Sequence, residues 1–180
     1  ADEDVEDFWE LLPFPPTNAQ KRALYEMARD LRMDAPMARL LQGDVGSGKT
    51  AVAAGVAFTA IREGWQATMM APTELLAEQH ARSLSALLEP GGIRVGLLTG
   101  SQPASVKKPV LAALAAGEID LIVGTHALLS EGVVFHKLGL VITDEQHRFG
   151  VAQRAALAAK GANPHMLVMS ATPIPRTLAL

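Results

Sequence analysis

At residues 43–50 the chain reads Gly43-Asp44-Val45-Gly46-Ser47-Gly48-Lys49-Thr50, and this stretch decides the fold. It matches the pattern GxxxxGK[ST] of phosphate-binding loops. Phosphate oxygens must be met by several backbone amides at once, so such a loop curls tightly and needs glycine. The pattern predicts a helix that begins at Lys49, with its N-terminal amides and dipole facing the anion. We expect Lys49 to reach the β- and γ-phosphates of a nucleotide and the Thr50 hydroxyl to bind Mg²⁺.

Short apolar runs alternate with helical patterns on both sides of this loop, which favours it over a glycine-rich turn with a chance lysine. The runs predict strands over Ala38–Leu41, Ala67–Ala71, Val95–Leu98, Leu121–Val123, Leu138–Ile142 and Met166–Met169. Helical patterns cover Lys49–Glu63, Glu74–Leu88, Ser105–Ala116 and Val151–Ala159. Strands without polar alternation are covered on both faces, so we expect an α/β fold with a mostly parallel sheet. Ligands bind beyond the carboxyl ends of such strands.

The first 16 residues differ in composition from the rest. Six of the 19 acidic residues lie among the first ten, and a proline-rich stretch, 11–16, follows them. We therefore expect residues 1–16 to be an acidic, proline-rich leader, and residues 17–180 to form the domain. Thr17 and Gln20 have the spacing of a capping box, which predicts the start of a helix. Without the first ten residues the chain has 16 basic and 13 acidic side chains, a mild positive charge compatible with phosphate partners or with ordinary solvated surface.

Composition excludes several classes of protein. The chain has 180 residues, enough for one domain, with 49% hydrophobic and 19% charged residues, as in ordinary globular proteins. It has no cysteine, which excludes disulfides and thiolate metal sites. No apolar run reaches membrane-spanning length and no signal peptide is visible, so we expect no membrane partner and a cytoplasmic setting.

A second acidic feature follows the apolar run that ends at Thr143. Asp144 and Glu145 come directly after this predicted strand. Two adjacent carboxylates repel each other unless a cation is present, and Mg²⁺ would supply that cation. We expect Asp144 to bind Mg²⁺ and Glu145 to polarise the attacking water as general base, together with Lys49 in ATP hydrolysis. An acidic turn after a strand is the alternative.

Several longer stretches carry a resemblance to a known family. The chain resembles superfamily 2 helicases in the order of the phosphate-binding loop, Asp144-Glu145-Gln146-His147 and Ser170-Ala171-Thr172. It resembles the RecG family of bacterial branch-migration helicases more closely, over essentially all of residues 12–180. The stretches concerned are 39–50, Ala71-Pro72-Thr73-Glu74-Leu75-Leu76-Ala77-Glu78-Gln79-His80, Gly124-Thr125-His126-Ala127-Leu128, 144–151 and Ala171-Thr172-Pro173-Ile174-Pro175-Arg176-Thr177-Leu178. Mfd-like translocases share this skeleton.

The resemblance implies a RecA-like P-loop NTPase domain, a three-layer sandwich, and further site residues. It implies that Gln20 binds adenine, with helix capping as the alternative, and that Phe14 or Leu12 packs on the base. His147 would hydrogen-bond Ser170 or Thr172 and couple the nucleotide site to DNA. Arg176 is a candidate for contacts with DNA or another domain. The DNA backbone would follow strand-end loops at Pro72, Thr73, Thr99, Gly100, Thr125 and His126, for which plain loop capping is the alternative.

The resemblance also implies partners. A RecG-like helicase, which remodels stalled forks and branched DNA in recombination and repair, needs a second RecA-like domain with an arginine finger and an N-terminal wedge domain. We expect both to be missing from this chain, and the leader to be the linker from the wedge. Isolated, the chain should hydrolyse ATP very slowly, since an arginine finger contributes about 10³–10⁵ in rate. An Mfd-like duplex-DNA translocase domain and a nucleotide-binding module without motor activity stay open as alternatives.

Overall fold

Six parallel strands form one sheet among the residues that the computed structural model describes, which are 2–33, 35–42, 48–144, 155–156, 159–160 and 164–170. The strands are β1 (Ala38–Gln42), β2 (Gln66–Met70), β3 (Val95–Leu98), β4 (Leu121–Gly124), β5 (Leu138–Asp144) and β6 (His165–Ser170). They pair in the order β1-β6-β5-β2-β4-β3, and every pairing is parallel. The predicted strands are thus confirmed, with ends that shift by up to two residues.

Helices cover both faces of this sheet. They are α1 (Asp2–Leu11), α2 (Asn18–Leu31), α3 (Lys49–Arg62), α4 (Glu74–Leu88) and α5 (Ala104–Ala115), with 3₁₀ turns at Glu89–Gly91 and His126–Leu129. Successive residues of a strand point to opposite faces. Leu121 and Val123 therefore pack with α1–α4, whereas Ile122 packs with α5. The three-layer α/β sandwich predicted from the sequence is confirmed.

The predicted helices agree with the structure wherever it describes them. Helix α4 has the predicted bounds, and α3 and α5 agree within one residue at each end. The predicted helix Val151–Ala159 lies outside the described residues apart from Ala155, Ala156 and Ala159. None of the described helices combines the length and the apolar character that crossing a bilayer requires.

Helix α1 was not predicted, because the sequence indicated an acidic leader there. Val5 and Phe8 of this helix are fully buried in the core that it shares with α2 and α3. Gly55 of α3 allows the contact, since a Cβ at that position would lie 2.8 Å from the Phe8 ring. At the helix surface, Arg62 pairs with Asp7 at 2.9 Å. Residues 2–11 therefore form a helix that packs into the core, and their role as a linker from a wedge domain stays a prediction.

Candidate functional site

The candidate site residues gather along one edge of the sheet. Because all pairings are parallel, the carboxyl ends of the six strands lie at the same edge. The ends of β1, β6 and β5 form one half of this edge, which we call the nucleotide half because it contains the phosphate-binding pattern and Asp144. The ends of β2, β4 and β3 form the other half. In the order of the strands across the sheet, the candidates at these ends are Gly48-Lys49-Thr50, Ser170, Asp144, Pro72-Thr73, Thr125-His126 and Thr99-Gly100.

Helix α3 begins at Lys49, as the phosphate-binding pattern predicted. Gly48 is its N-cap, with a φ of 84°, and glycine has no side chain with which to cap the first turn. Backbone amides in the first turn of a helix have no partner within the helix, so they can bind an anion, and the helix dipole favours negative charge there. Residues 43–47, which the sequence assigns to the same loop, lie outside the described residues.

Gln20 connects the start of α2 to the end of this loop. Thr17 and Gln20 form the predicted capping box: Gln20 N donates to Thr17 Oγ1 at 3.1 Å, and Thr17 N donates to Gln20 Oε1 at 2.9 Å. Gln20 Nε2 also donates to the carbonyl oxygen of Gly48 at 3.4 Å. The capping role is confirmed, and the contact with adenine that the resemblance implied stays a prediction.

An apolar cavity of about 650 Å³ adjoins the first turn of α3. Its volume is in the range of small-molecule sites. It lies between the segment after α1, the start of α3 and the last turns of α4. The lining includes Leu11, Leu12, Phe14, Lys49, Thr50 and Leu87. Leu12 and Phe14, which the sequence named as contacts of the base, therefore share one cavity with Lys49 and Thr50, whereas Gln20 lines a neighbouring cavity with Gly48 and Lys49.

Asp144 ends β5 and is 9% exposed. His80, on α4, contacts its carboxylate: Nε2 of His80 lies 2.8 Å from Oδ2 of Asp144, in a hydrogen bond that the imidazole N–H donates. In the register of the sheet, Asp144 faces Met169, the residue before Ser170. Asp144 and Ser170 are thus at neighbouring strand ends, and Ser170 in turn pairs with Gln42, the last residue of β1.

The loops predicted to follow the DNA backbone are held by local hydrogen bonds. Thr73 caps α4, since its Oγ1 accepts from Leu76 N at 3.2 Å. Thr99 N donates to Gln102 Oε1 at 2.9 Å, and Thr125 O accepts from Leu128 N at 3.0 Å. The capping alternative is therefore confirmed for Thr73, and such a role leaves the exposed backbone of these loops able to contact phosphate as well.

The remaining predicted site residues lie in three segments outside the described residues, 43–47, 145–154 and 171–180. They are Gly43, Asp44, Val45, Gly46, Ser47, Glu145, His147, Thr172 and Arg176, and their roles stay predictions.

Sequence reasoning did not predict the position of His80 beside Asp144. A signal for the contact exists in the sequence. His80 lies on the stripe of α4 that contains Ala77, Leu84 and Leu88, all of which are buried. A histidine on the apolar stripe of a helix beside strand ends is a candidate for a polar partner from a neighbouring strand.

His165 has a structural role at the start of the sheet. Its Nδ1 accepts the backbone N–H of Met37 at 2.7 Å, just before β1 and β6 begin to pair. Burial lowers the pKa of the imidazole below its ordinary value. The neutral form therefore holds the start of β1 against β6.

Comparison with known proteins points to one family. Residues 17–180 match the family model "DEAD/DEAH box helicase". The ATP-dependent DNA helicase RecG of Bacillus subtilis (strain 168) is 56% identical over 180 residues, which is 100% of this chain and 26% of the relative. RecG of Escherichia coli (strain K12) is 56% identical over 173 residues, or 94% of this chain and 25% of the relative. The chain spans about a quarter of the length of these relatives.

Solved structures agree with the observed architecture. A structure of RecG bound to a three-way DNA junction superimposes with a TM-score of 0.87 at 47% identity, covering 98% of this chain and 24% of that one. Saccharomyces cerevisiae Dbp5, solved in a complex with ADP, gives a TM-score of 0.69 at 20% identity, covering 97% of this chain and 47% of that one, and shows the fold alone. The chain belongs to the DEAD/DEAH box helicase family, and nearly all of it is similar to about a quarter of RecG.

Proposed function

We propose that this chain is the ATP-binding and ATP-hydrolysing domain of a RecG-like DNA helicase that remodels forked or branched DNA. The proposal rests on Lys49 and Thr50 lying at the edge of the sheet at which Asp144 ends β5. The similarity of nearly the whole chain to RecG helicases supports it. Because the chain spans about a quarter of those relatives, helicase activity is proposed for the longer protein.

The described donor set fits a magnesium-bound nucleotide. The first turn of α3 offers backbone amides, the Lys49 ammonium and the Thr50 hydroxyl, and Asp144 adds a carboxylate. Hydroxyl and carboxylate oxygens are ligands that Mg²⁺ prefers, and Mg²⁺ usually binds through one or two carboxylates plus phosphates. Bound there, Mg²⁺ would neutralise negative charge on the phosphates. Thr50 and Asp144 would hold the metal, and Lys49 would orient the phosphates, with residues 43–47 completing the loop.

The apolar cavity beside α3 is the proposed site of the base. Leu12 and Phe14 line it next to Thr50, so an adenine packed there would stay connected to phosphates at the helix start. Phe14 is 45% exposed, which leaves its ring accessible for packing on a base. Gln20 lines the neighbouring cavity, which shares Gly48 and Lys49 with this one, and would hydrogen-bond an adenine from that side in addition to its contact with Gly48.

We assign hydrolysis to Glu145, the residue after Asp144, as the general base that polarises the attacking water. His147, by a hydrogen bond to Ser170 or Thr172, would connect this site to the DNA. Ser170 and Asp144 lie at the ends of neighbouring strands, which supports the proposed connection through His147.

DNA is the proposed polymer partner, bound through its backbone at the β2, β4 and β3 half of the edge. The residues concerned are Pro72, Thr73, Thr99, Gly100, Thr125 and His126, with Arg176 as a further candidate. Small hydroxyls and loop amides contact phosphate without selecting bases. The proposed setting is the bacterial cytoplasm, and the proposed partners within the longer protein are a second RecA-like domain and an N-terminal wedge domain.

A substitution in the longer protein tests the proposed reaction. Glu145→Gln removes the general base but leaves the phosphate contacts, so we expect nucleotide binding to persist while fork unwinding and DNA-stimulated ATP hydrolysis fall by about 10²–10⁴-fold. Glu131→Gln, at an exposed position, is the matched control and should keep both activities. Unwinding of a model fork at the wild-type rate by the Glu145→Gln protein would contradict the assignment.

A further inference from the structure

The contact between His80 and Asp144 connects two halves of the candidate site. Asp144 ends β5, in the nucleotide half, whereas His80 belongs to α4, which follows β2. The side chains of His80 and Asp144 are 16% and 12% exposed, and Nε2 and Oδ2 are 2.8 Å apart. A hydrogen bond between largely buried groups holds both side chains in one orientation, because a substitute partner from water is hard to reach.

The first turn of α4 is attached to the loops of the proposed DNA track. Thr73 caps the helix from the loop after β2. Glu74 reaches the loop after β3, where its carboxylate accepts from Ser101 N at 3.1 Å and from the Ser101 hydroxyl. His80 follows Thr73 by seven residues, which is about 10 Å, or two turns, along a rigid helix. One helix therefore touches two of the three proposed DNA loops at its start and the proposed metal carboxylate two turns later.

We propose that His80 is a positioning residue that orients the Asp144 carboxylate for Mg²⁺ and connects that carboxylate to the DNA-track loops through α4. The hydrogen bond occupies Oδ2, which leaves Oδ1 of the same carboxylate for the metal. This inference rests on the proposed function, since it requires a magnesium-dependent nucleotide site. Residues that hold a metal ligand typically change metal affinity by 10–100-fold when they are replaced.

The first test measures how much Mg²⁺ the chain needs to bind a fluorescent ADP analogue. We expect His80→Ala to raise the half-saturating Mg²⁺ concentration by about tenfold or more. His80→Gln keeps a hydrogen-bond donor near the carboxylate, so its half-saturating Mg²⁺ concentration should be close to that of the wild type. His136→Ala, which removes an exposed histidine, should match the wild type. Circular dichroism of each variant establishes that the fold is intact.

The outcomes separate this proposal from the proposed function. If the wild type shows no magnesium-dependent binding, the proposed function itself fails. If the wild type binds but folded His80→Ala needs no more Mg²⁺ than the wild type, the positioning role is overturned. It is also overturned if His80→Ala and His80→Gln raise the half-saturating Mg²⁺ concentration equally.

The connection to DNA is tested in the longer helicase at saturating Mg²⁺, where a weaker metal site is filled. There we compare the ratio of DNA-stimulated to basal ATP hydrolysis, and we expect His80→Ala to lower this ratio by about fivefold or more, which is the usual size of coupling between sites. A stimulation ratio equal to that of the wild type would overturn the connection through α4.

Discussion

Gly48 shows at the scale of a single residue how backbone geometry and a side-chain contact meet at the site. Its φ of 84° lies in the left-handed region, which costs an L-residue roughly 1–2 kcal/mol. A Cβ there would also lie 1.9 Å from Nε2 of Gln20, the atom that donates to the Gly48 carbonyl. The backbone angle therefore favours glycine at the point where α3 begins, and the Gln20 side chain would have to move to admit a Cβ.

We predict that Gly48→Ala weakens binding of Mg-ADP by about tenfold or more, because the added methyl displaces Gln20 and shifts the first turn of α3. Titration calorimetry measures this loss. Gly132→Ala is the control, since a Cβ at position 132 meets no atom of the described residues within 4 Å. Equal affinities in the Gly48→Ala and Gly132→Ala proteins would argue against the geometry described for this turn.

His165 predicts a pH dependence of stability. Because burial lowers its pKa in the folded chain, the folded state binds fewer protons than the unfolded state, whose histidine has a pKa of about 6.5. The stabilising contribution of neutral His165 is thus complete above about pH 6.5 and declines as the pH falls below that value. Urea unfolding at pH 7.5 and pH 5.5 should show a smaller decline in His165→Gln than in the wild type. An identical decline in both proteins would refute this role.

At the scale of elements, helix α1 has an acidic sequence but also an apolar face that is buried in the core. Phe8 is fully buried and touches the position where Gly55 lacks a side chain, and its ring lies 5.9 Å from that of Phe58. The contact is internal to the domain, so its loss should lower the stability of the whole unit rather than release a separate segment.

We predict that Phe8→Ala lowers the free energy of unfolding by about 3–5 kcal/mol, the usual cost of removing a buried phenylalanine. Phe14→Ala is the matched control: its 45% exposed ring should change stability by less than about 0.5 kcal/mol but weaken nucleotide binding. Denaturant unfolding of both variants checks this. A loss below 1 kcal/mol for Phe8→Ala would mean that α1 is not part of the core.

The sheet and helices α2–α5 were predictable because their signals are local. Apolar runs mark the strands, and Thr17 and Gln20 mark the start of α2 within four residues. Helix α1 escaped prediction because its stability comes from residues far along the chain, such as Gly55 and Arg62. The contact of His80 with Asp144 joins positions 64 residues apart, so only the order of the strands brings it about.

At the scale of the whole molecule, the parallel sheet places the nucleotide and DNA candidates side by side along one edge. The end of β5 is the part of the nucleotide half that lies next to β2, and Asp144 at this end contacts His80 from α4. This arrangement would allow one domain to hold a nucleotide and a DNA backbone on neighbouring loops, as proposed above.

The binding of Mg-ADP to this chain, measured by titration calorimetry with and without Lys49→Ala, tests the central claim most directly. We predict saturable binding by the wild type, loss of at least about tenfold in affinity for Lys49→Ala, and wild-type affinity for Lys108→Ala, which removes an exposed lysine of α5. Wild-type affinity in the Lys49→Ala chain would contradict the assignment of this site to nucleotide phosphates.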